Sequence, residues 1–135
     1  MASIRKQLEL DASAEDVWDA IRDFAAVHTR VAPGFVTRLE MVGEARIVTF
    51  ANGTTARERL VDSDDQERRL VYAIASEKLT AHSASVQVFD QGPHRSRLVW
   101  ITDVLPHEIG PYISGQMDEA VKVMKPTLER QPAGA

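Results

Sequence analysis

Apolar and polar positions recur along this chain with two different periods, and the switch between them divides it into elements. In residues 2–10, ASIRKQLEL, Ile4, Leu8 and Leu10 stand among polar and charged neighbours, the pattern of a half-exposed strand. From residue 13 the period lengthens: Val17, Trp18, Ile21 and Phe24 fall on one face at helical spacing. Ser13 is the candidate N-cap, Asp16 three residues on completes a capping box, and Glu15 and Asp16 put negative charge where the helix dipole favours it. So short a helix is marginal alone in water and must pack on something larger. Residues 25–34 end in Pro-Gly, which breaks any helix and leaves room for one further short helical turn.

From Phe35 to Leu105 short runs rich in Val, Ile, Phe and Thr alternate with turn signals. FVTRLEMV ends at Gly43, and EARIVTFA ends at Asn52-Gly53, which favours a hairpin with a type I′ turn. TTARERLVD runs into the acidic turn SDDQER, and RLVYAIA, HSASVQVFD and SRLVWITDVL follow. Loops this short join antiparallel neighbours, since parallel strands need long crossovers. Pro106 stops the last strand. Residues 107–130 read as one long helix with Ile109, Ile113, Met117, Ala120, Val121, Met124 and Leu128 close to one stripe, and Pro126 is expected to bend or end it. The predicted order is one strand, two short helices, six antiparallel strands and a long helix. That is an α+β domain whose long C-terminal helix lies over a curved seven-stranded antiparallel sheet. Such a helix leaves space beneath it, which suggests a pocket.

The totals narrow the classes of function. At 135 residues the chain is a single domain, 1–135, large enough for a core of its own, with only the tail RQPAGA, about 131–135, looking loose. It has no cysteine, hence no disulfide framework and no thiolate chemistry. The formal charge is −4, and the basic residues are scattered apart from Arg57, Arg59, Arg68 and Arg69, which argues against a nucleic-acid partner. The N-terminus has no apolar run of secretory type, and no segment reaches the ~20 apolar residues that span a bilayer. A soluble, cytoplasmic protein is expected. Four histidines without paired spacing give no metal site, and there is no glycine-rich phosphate loop, so no cofactor is expected.

Three segments carry a resemblance to a known family. DASAEDVWDAIRDF resembles the opening signature of the SRPBCC superfamily, the START-like and birch-allergen-like proteins. RRLVYAI resembles the middle strand after an acidic turn, and SRLVWITDVLP the last strand with its Trp, its acidic residue and the Pro before the long helix. The resemblance covers about Ser3 to Leu128 and is nearest to the polyketide cyclase/dehydrase and lipid-transport branch. It implies a helix-grip fold with a hydrophobic cavity between sheet and C-terminal helix. It implies no single reaction, because ligand carriers, cyclases, hormone receptors and chaperone partners share that fold.

Strand parity selects the candidate site. Arg57 and Arg59 share one face and are expected in water, which turns Glu58 and Leu60 inward. The same reasoning places Leu70, Tyr72 and Ile74 inside, then His82, Ala84, Val86 and Val88, then Leu98, Trp100, Thr102 and Val104. In the last strand both faces are fairly apolar, so a slip of one residue inverts the assignment. The predicted ligand-binding wall is Phe35, Leu60, Tyr72, Ile74, His82, Trp100 and Thr102 from the sheet side. Ile113, Met117, Val121 and Met124 join it from the helix, the methionines as adaptable lining.

The candidate catalytic residues are Glu58, His82 and Tyr72. A lone carboxylate in an apolar wall holds its proton more tightly, which suits acid–base work on a carbonyl compound. Each has a plainer alternative: Glu58 paired with an arginine on a neighbouring strand, His82 a hydrogen-bonded strand-end residue, Tyr72 and Trp100 core filler. APGF, residues 32–35, is either a gate or a turn, and Asp103 reads as structural. Three functions follow: binding of a small hydrophobic or aromatic ligand, lipid or polyketide-like; a metal-free cyclase or dehydratase; or an interaction module, for which outward Val99 and Ile101 offer an apolar patch and a candidate homodimer contact.

Overall fold

The computed structural model describes residues 1–130, and the tail predicted to be loose, 131–135, lies outside the described residues. Seven strands form one antiparallel sheet: β1 Ala2–Leu10, β2 Val36–Val42, β3 Ala45–Phe50, β4 Thr55–Asp64, β5 Arg69–Ala75, β6 Ala81–Asp90 and β7 Ser96–Leu105. Their spatial order is β1-β7-β6-β5-β4-β3-β2, so consecutive hairpins are neighbours and β1 closes onto β7. Register shifts between Val36 and Arg38 in β2 and between Leu60 and Asp62 in β4 mark bulges, which bend the strands that carry them. The helices α1 Ala14–Ile21, α2 Val27–Arg30 and α3 Gly110–Leu128 complete the helix-grip architecture.

The opening helix forms as its pattern predicts. The Ser13 side chain accepts the Asp16 N–H at 3.1 Å, capping α1. The helix ends at Ile21, and Phe24 falls in the 3-10 turn that follows, still facing the core. Trp18 is buried among these residues, and its indole N–H donates to Asp65 Oδ1 at 2.9 Å, which ties α1 to the turn between β4 and β5. Arg30 pins α2 back with contacts to Asp19 at 2.8 Å and Asp23 at 3.2 Å.

Three local expectations are corrected. The β3–β4 connection is a hairpin, but not of type I′. Gly53 alone takes positive φ there, at 87°, because the loop is a turn closed by Gly53 N–H to Phe50 O at 2.9 Å followed by a glycine bulge. The long helix is preceded by a separate 3-10 turn, His107–Ile109: Pro111 has no N–H for the His107 carbonyl, and Gly110 N–H reaches it instead. Pro126 sits inside α3, which continues to Leu128; the missing bond falls in the last turn, where few remain to be lost.

α3 is fastened along β1. Lys6 reaches Asp118 at 2.8 Å and Ser114 at 2.9 Å, and Lys125 Nζ donates to the Glu9 carbonyl at 2.6 Å. A Cβ placed on Gly110 would lie 2.8 Å from the Cβ of Ala2, so the helix enters against β1 where only glycine fits without a shift. The expected apolar patch on β7 is also corrected. Val99 faces outward as predicted but is only 6% exposed, between Gln7 and Gln87 on the flanking strands. Ile101 is half-buried. No helix among the described residues is long and apolar enough to cross a membrane.

Candidate functional site

Directly paired residues of an antiparallel sheet point to the same side, and two rows cross the concave face under α3. One is Tyr72–Ala84–Thr102, the other Leu70–Val86–Trp100. Between these rows and the helix lies a cavity of about 140 Å³. Glu58, Tyr72, Ile74, His82, Trp100 and Thr102 line it as parity predicts, Phe35 joins them just before β2, and Ile113, Met117 and Met124 line it from α3. Gln116 and Ala120 complete the helix side. The residues not anticipated from sequence come mostly from the first helices and the strands after them: Ile21, Val27, Val31, Ala32, Val36 and Phe50.

Two predicted lining residues lie elsewhere. Leu60 is directly opposite Tyr72, so its parity is right, but it is 38% exposed. It stands beside the bulge of β4, in a surface groove with Arg22, Phe24, Met41 and Val61. Val121 is one residue round from Ala120, about 100° of helix, and packs half-buried against the core instead of facing the cavity.

Glu58 is not a lone carboxylate. It stands opposite Arg46 of β3, and Arg46 Nε donates to Glu58 Oε1 at 2.7 Å. Both are nearly out of solvent, Arg46 5% and Glu58 6% exposed. A second guanidinium nitrogen donates to the Phe24 carbonyl at 3.0 Å, and the guanidinium carbon sits 3.9 Å from the Phe24 ring centroid and 5.3 Å from that of Tyr72. One residue therefore ties β3, β4 and the turn after α1 into the cavity wall. The pairing of Glu58 with an arginine on a neighbouring strand is the plainer alternative stated from sequence, but that alternative does not name Arg46 as the arginine. The signal was available: a three-residue hairpin loop over 51–53 sets Arg46 against Glu58.

Burial, together with the nearby Glu58 charge, pushes the Tyr72 phenol well above its ordinary range, so it stays protonated at neutral pH. The Trp100 indole also acts on that phenol, yet Trp100 Nε1 is buried without completing a hydrogen bond.

His82 has a structural task that parity could not show. The β5–β6 ladder stops at Tyr72–Ala84, and beyond it the His82 ring enters the gap, where Nδ1 accepts the Ile74 N–H at 3.1 Å. That bond requires Nδ1 to be unprotonated, which leaves Nε2 as the protonated nitrogen of a neutral ring. The ring also stands 6.0 Å from that of Tyr72. Burial lowers the His82 pKa below its ordinary value of 6.5. The unfolded chain therefore binds this proton more readily than the folded one. The stability in question is present above about pH 6.5 and is lost as pH falls through the lowered folded value. Between pH 7.5 and 5 the denaturant midpoint of the wild-type protein is expected to fall more than that of His82→Gln. A His82 signal that titrates at or above 6.5 by NMR contradicts this.

Among the described residues no three His, Asp or Glu side chains gather into a metal-holding group. The cavity is thus an apolar chamber with one buried ion pair, a protonated phenol, an indole N–H and a neutral imidazole in its wall.

The family described as "Polyketide cyclase / dehydrase and lipid transport" matches residues 1–131. No curated protein matches the chain. Among solved structures, an uncharacterised protein from Bacillus thuringiensis is 20% identical, with 94% of this chain and 98% of that one covered and a TM-score of 0.82. Norcoclaurine synthase from Thalictrum flavum, in complex with dopamine and hydroxybenzaldehyde, is 20% identical over 97% of this chain and 88% of that one, with a TM-score of 0.72. A START superfamily protein from Mycobacterium smegmatis is 17% identical, with 94% of each chain covered and a TM-score of 0.72. At these identities the likeness is one of fold.

Proposed function

The chain belongs to the polyketide cyclase/dehydrase and lipid transport family, and on that premise we propose that it binds one small, mainly apolar ligand, about one ring in size, in the cavity beneath α3. Family and fold support hydrophobic ligand binding in general. The observation that carries the finer reading is the cavity itself, about 140 Å³ between apolar walls. An apolar cavity of ~150 Å³ in another protein stays dry and takes up benzene, whereas sites for drug-sized ligands run to ~300–1,000 Å³. A lipid chain or fused polyketide is therefore too large to be enclosed there whole. That norcoclaurine synthase, of the same fold, holds dopamine and hydroxybenzaldehyde, each with a single ring, supports this scale.

The methionines provide the test. Met117 and Met124 line the cavity, while Met1 and Met41 are exposed and are not among its lining residues. Titrating isopropylbenzene into methyl-labelled protein is expected to shift the Met117 and Met124 signals saturably and leave Met1 and Met41 in place. Unmoved cavity methyls at the solubility limit of the probe refute the reading. Native mass spectrometry of freshly purified protein gives the mass of any co-purifying ligand.

A cyclase- or dehydratase-like reading has less behind it. Of its three acid–base candidates, Glu58 is engaged by Arg46, Tyr72 keeps its proton, and His82 Nδ1 is occupied by the Ile74 N–H.

A further inference from the structure

We propose that the ligand carries a hydrogen-bond acceptor, a carbonyl or comparable oxygen, and that the Tyr72 hydroxyl donates to it inside the cavity. The proposal rests on the reading that the cavity binds a one-ring ligand, and it assigns that ligand its polar group.

The argument starts from placement. Tyr72 stands near the centre of the concave face, buried, with Ala84 opposite it on β6 and Thr102 beyond on β7. Ala84 is the smallest side chain in that row and leaves the space above it open to its larger neighbours. Trp100 approaches from the next row, across Val86, and its ring also lines the cavity. On its other side Tyr72 has the Arg46 guanidinium 5.3 Å from its ring, and that guanidinium is directed at Glu58 and the Phe24 carbonyl. The Glu58 carboxylate, whose charge also reaches the phenol, is engaged by Arg46. Tyr72 Oη itself forms no hydrogen bond with any described residue.

A hydroxyl in a buried side chain that donates to no protein acceptor has its O–H left to give. Held neutral, it is a donor, and the space it faces is the cavity. An acceptor oxygen on the ligand satisfies it. A purely apolar ligand leaves it unmet, which separates otherwise isosteric ligands. Trp100 Nε1, buried without an acceptor of its own, adds a second unmet donor to the same wall.

The experiment compares acetophenone with isopropylbenzene, which have the same number of heavy atoms and differ in the oxygen. Both are titrated against wild-type protein, Tyr72→Phe and Trp100→Phe, with the Met117 and Met124 methyl signals as readout. Tyr72→Phe is expected to weaken acetophenone about ten-fold and leave isopropylbenzene within about two-fold. Trp100→Phe is expected to weaken acetophenone by a smaller factor. Independently of any variant, the carbonyl stretch of bound 13C-labelled acetophenone is expected below its position in hexane, and Tyr72→Phe is expected to return it. Isopropylbenzene binding with no selective loss of acetophenone in Tyr72→Phe, or with an unshifted carbonyl stretch, overturns the acceptor assignment and leaves the binding reading intact. Failure of both probes to bind the wild-type protein removes the binding reading, and this assignment with it.

Discussion

Arg46→Met is expected to destabilise the protein by about 3–5 kcal/mol, because it strands the buried Glu58 carboxylate without a partner. At this size the loss corresponds to a thermal midpoint lower by on the order of 10 °C. Two effects combine. The 2.7 Å contact to Glu58 disappears, and the Phe24 carbonyl loses its donor. The pair itself need not be strongly stabilising, since taking two charges out of water costs nearly what their attraction returns. The double variant Arg46→Met/Glu58→Leu is therefore expected to recover most of the loss. Recovery should stop short of complete, because the Phe24 carbonyl remains unmet. Chemical denaturation of wild type, both single variants and the double variant measures this cycle. A cost below about 1 kcal/mol for Arg46→Met means that water or a rearranged side chain reaches Glu58, and that this end of the cavity is wetter than its burial indicates.

Ala120→Leu is expected to abolish ligand uptake with little loss of fold. Ala120 is buried on α3 and lines the cavity beside Met117 and Met124. Three added carbon atoms project into a chamber of about 140 Å³, where they compete directly for the room a single ring needs. Isopropylbenzene affinity is expected to fall at least 30-fold, read from the same methionine methyls. The overpacking cost to stability should stay within about 1–3 kcal/mol, and less to the extent that the new side chain occupies empty space. Undiminished affinity in this variant places the ligand somewhere other than under α3.

The sequence carried most of the fold because parity and turn chemistry are local. Arg57 and Arg59 flanking Glu58 were enough to orient β4, and Asn52-Gly53 located a hairpin even though its turn type differed. What remained hidden depended on exact register and on local departures from it. A neighbouring-strand arginine was one reading of Glu58, but only the register across the loop identifies it as Arg46. Leu60 had the right parity and still missed the cavity: it stands beside a bulge, in a separate surface groove. Val99 faced outward as expected, yet Gln7 of β1 and Gln87 of β6 flank it. His82 was weighed as a catalyst or a strand-end residue. Only the premature end of the β5–β6 ladder explains why a ring nitrogen is needed to take the Ile74 N–H.

The approach of Gly110 to Ala2 bears on how such a chain can change over evolutionary time. The two positions are 108 residues apart, yet together they accommodate a single methyl group at 2.8 Å. Drift at one is therefore conditional on the other. A lineage that acquires alanine at 110 must first have glycine at 2, or else accept a displaced helix and a reshaped chamber. The same pair offers a route to new ligand preferences: a second methyl at the contact would shift the roof without touching any residue that lines the space below.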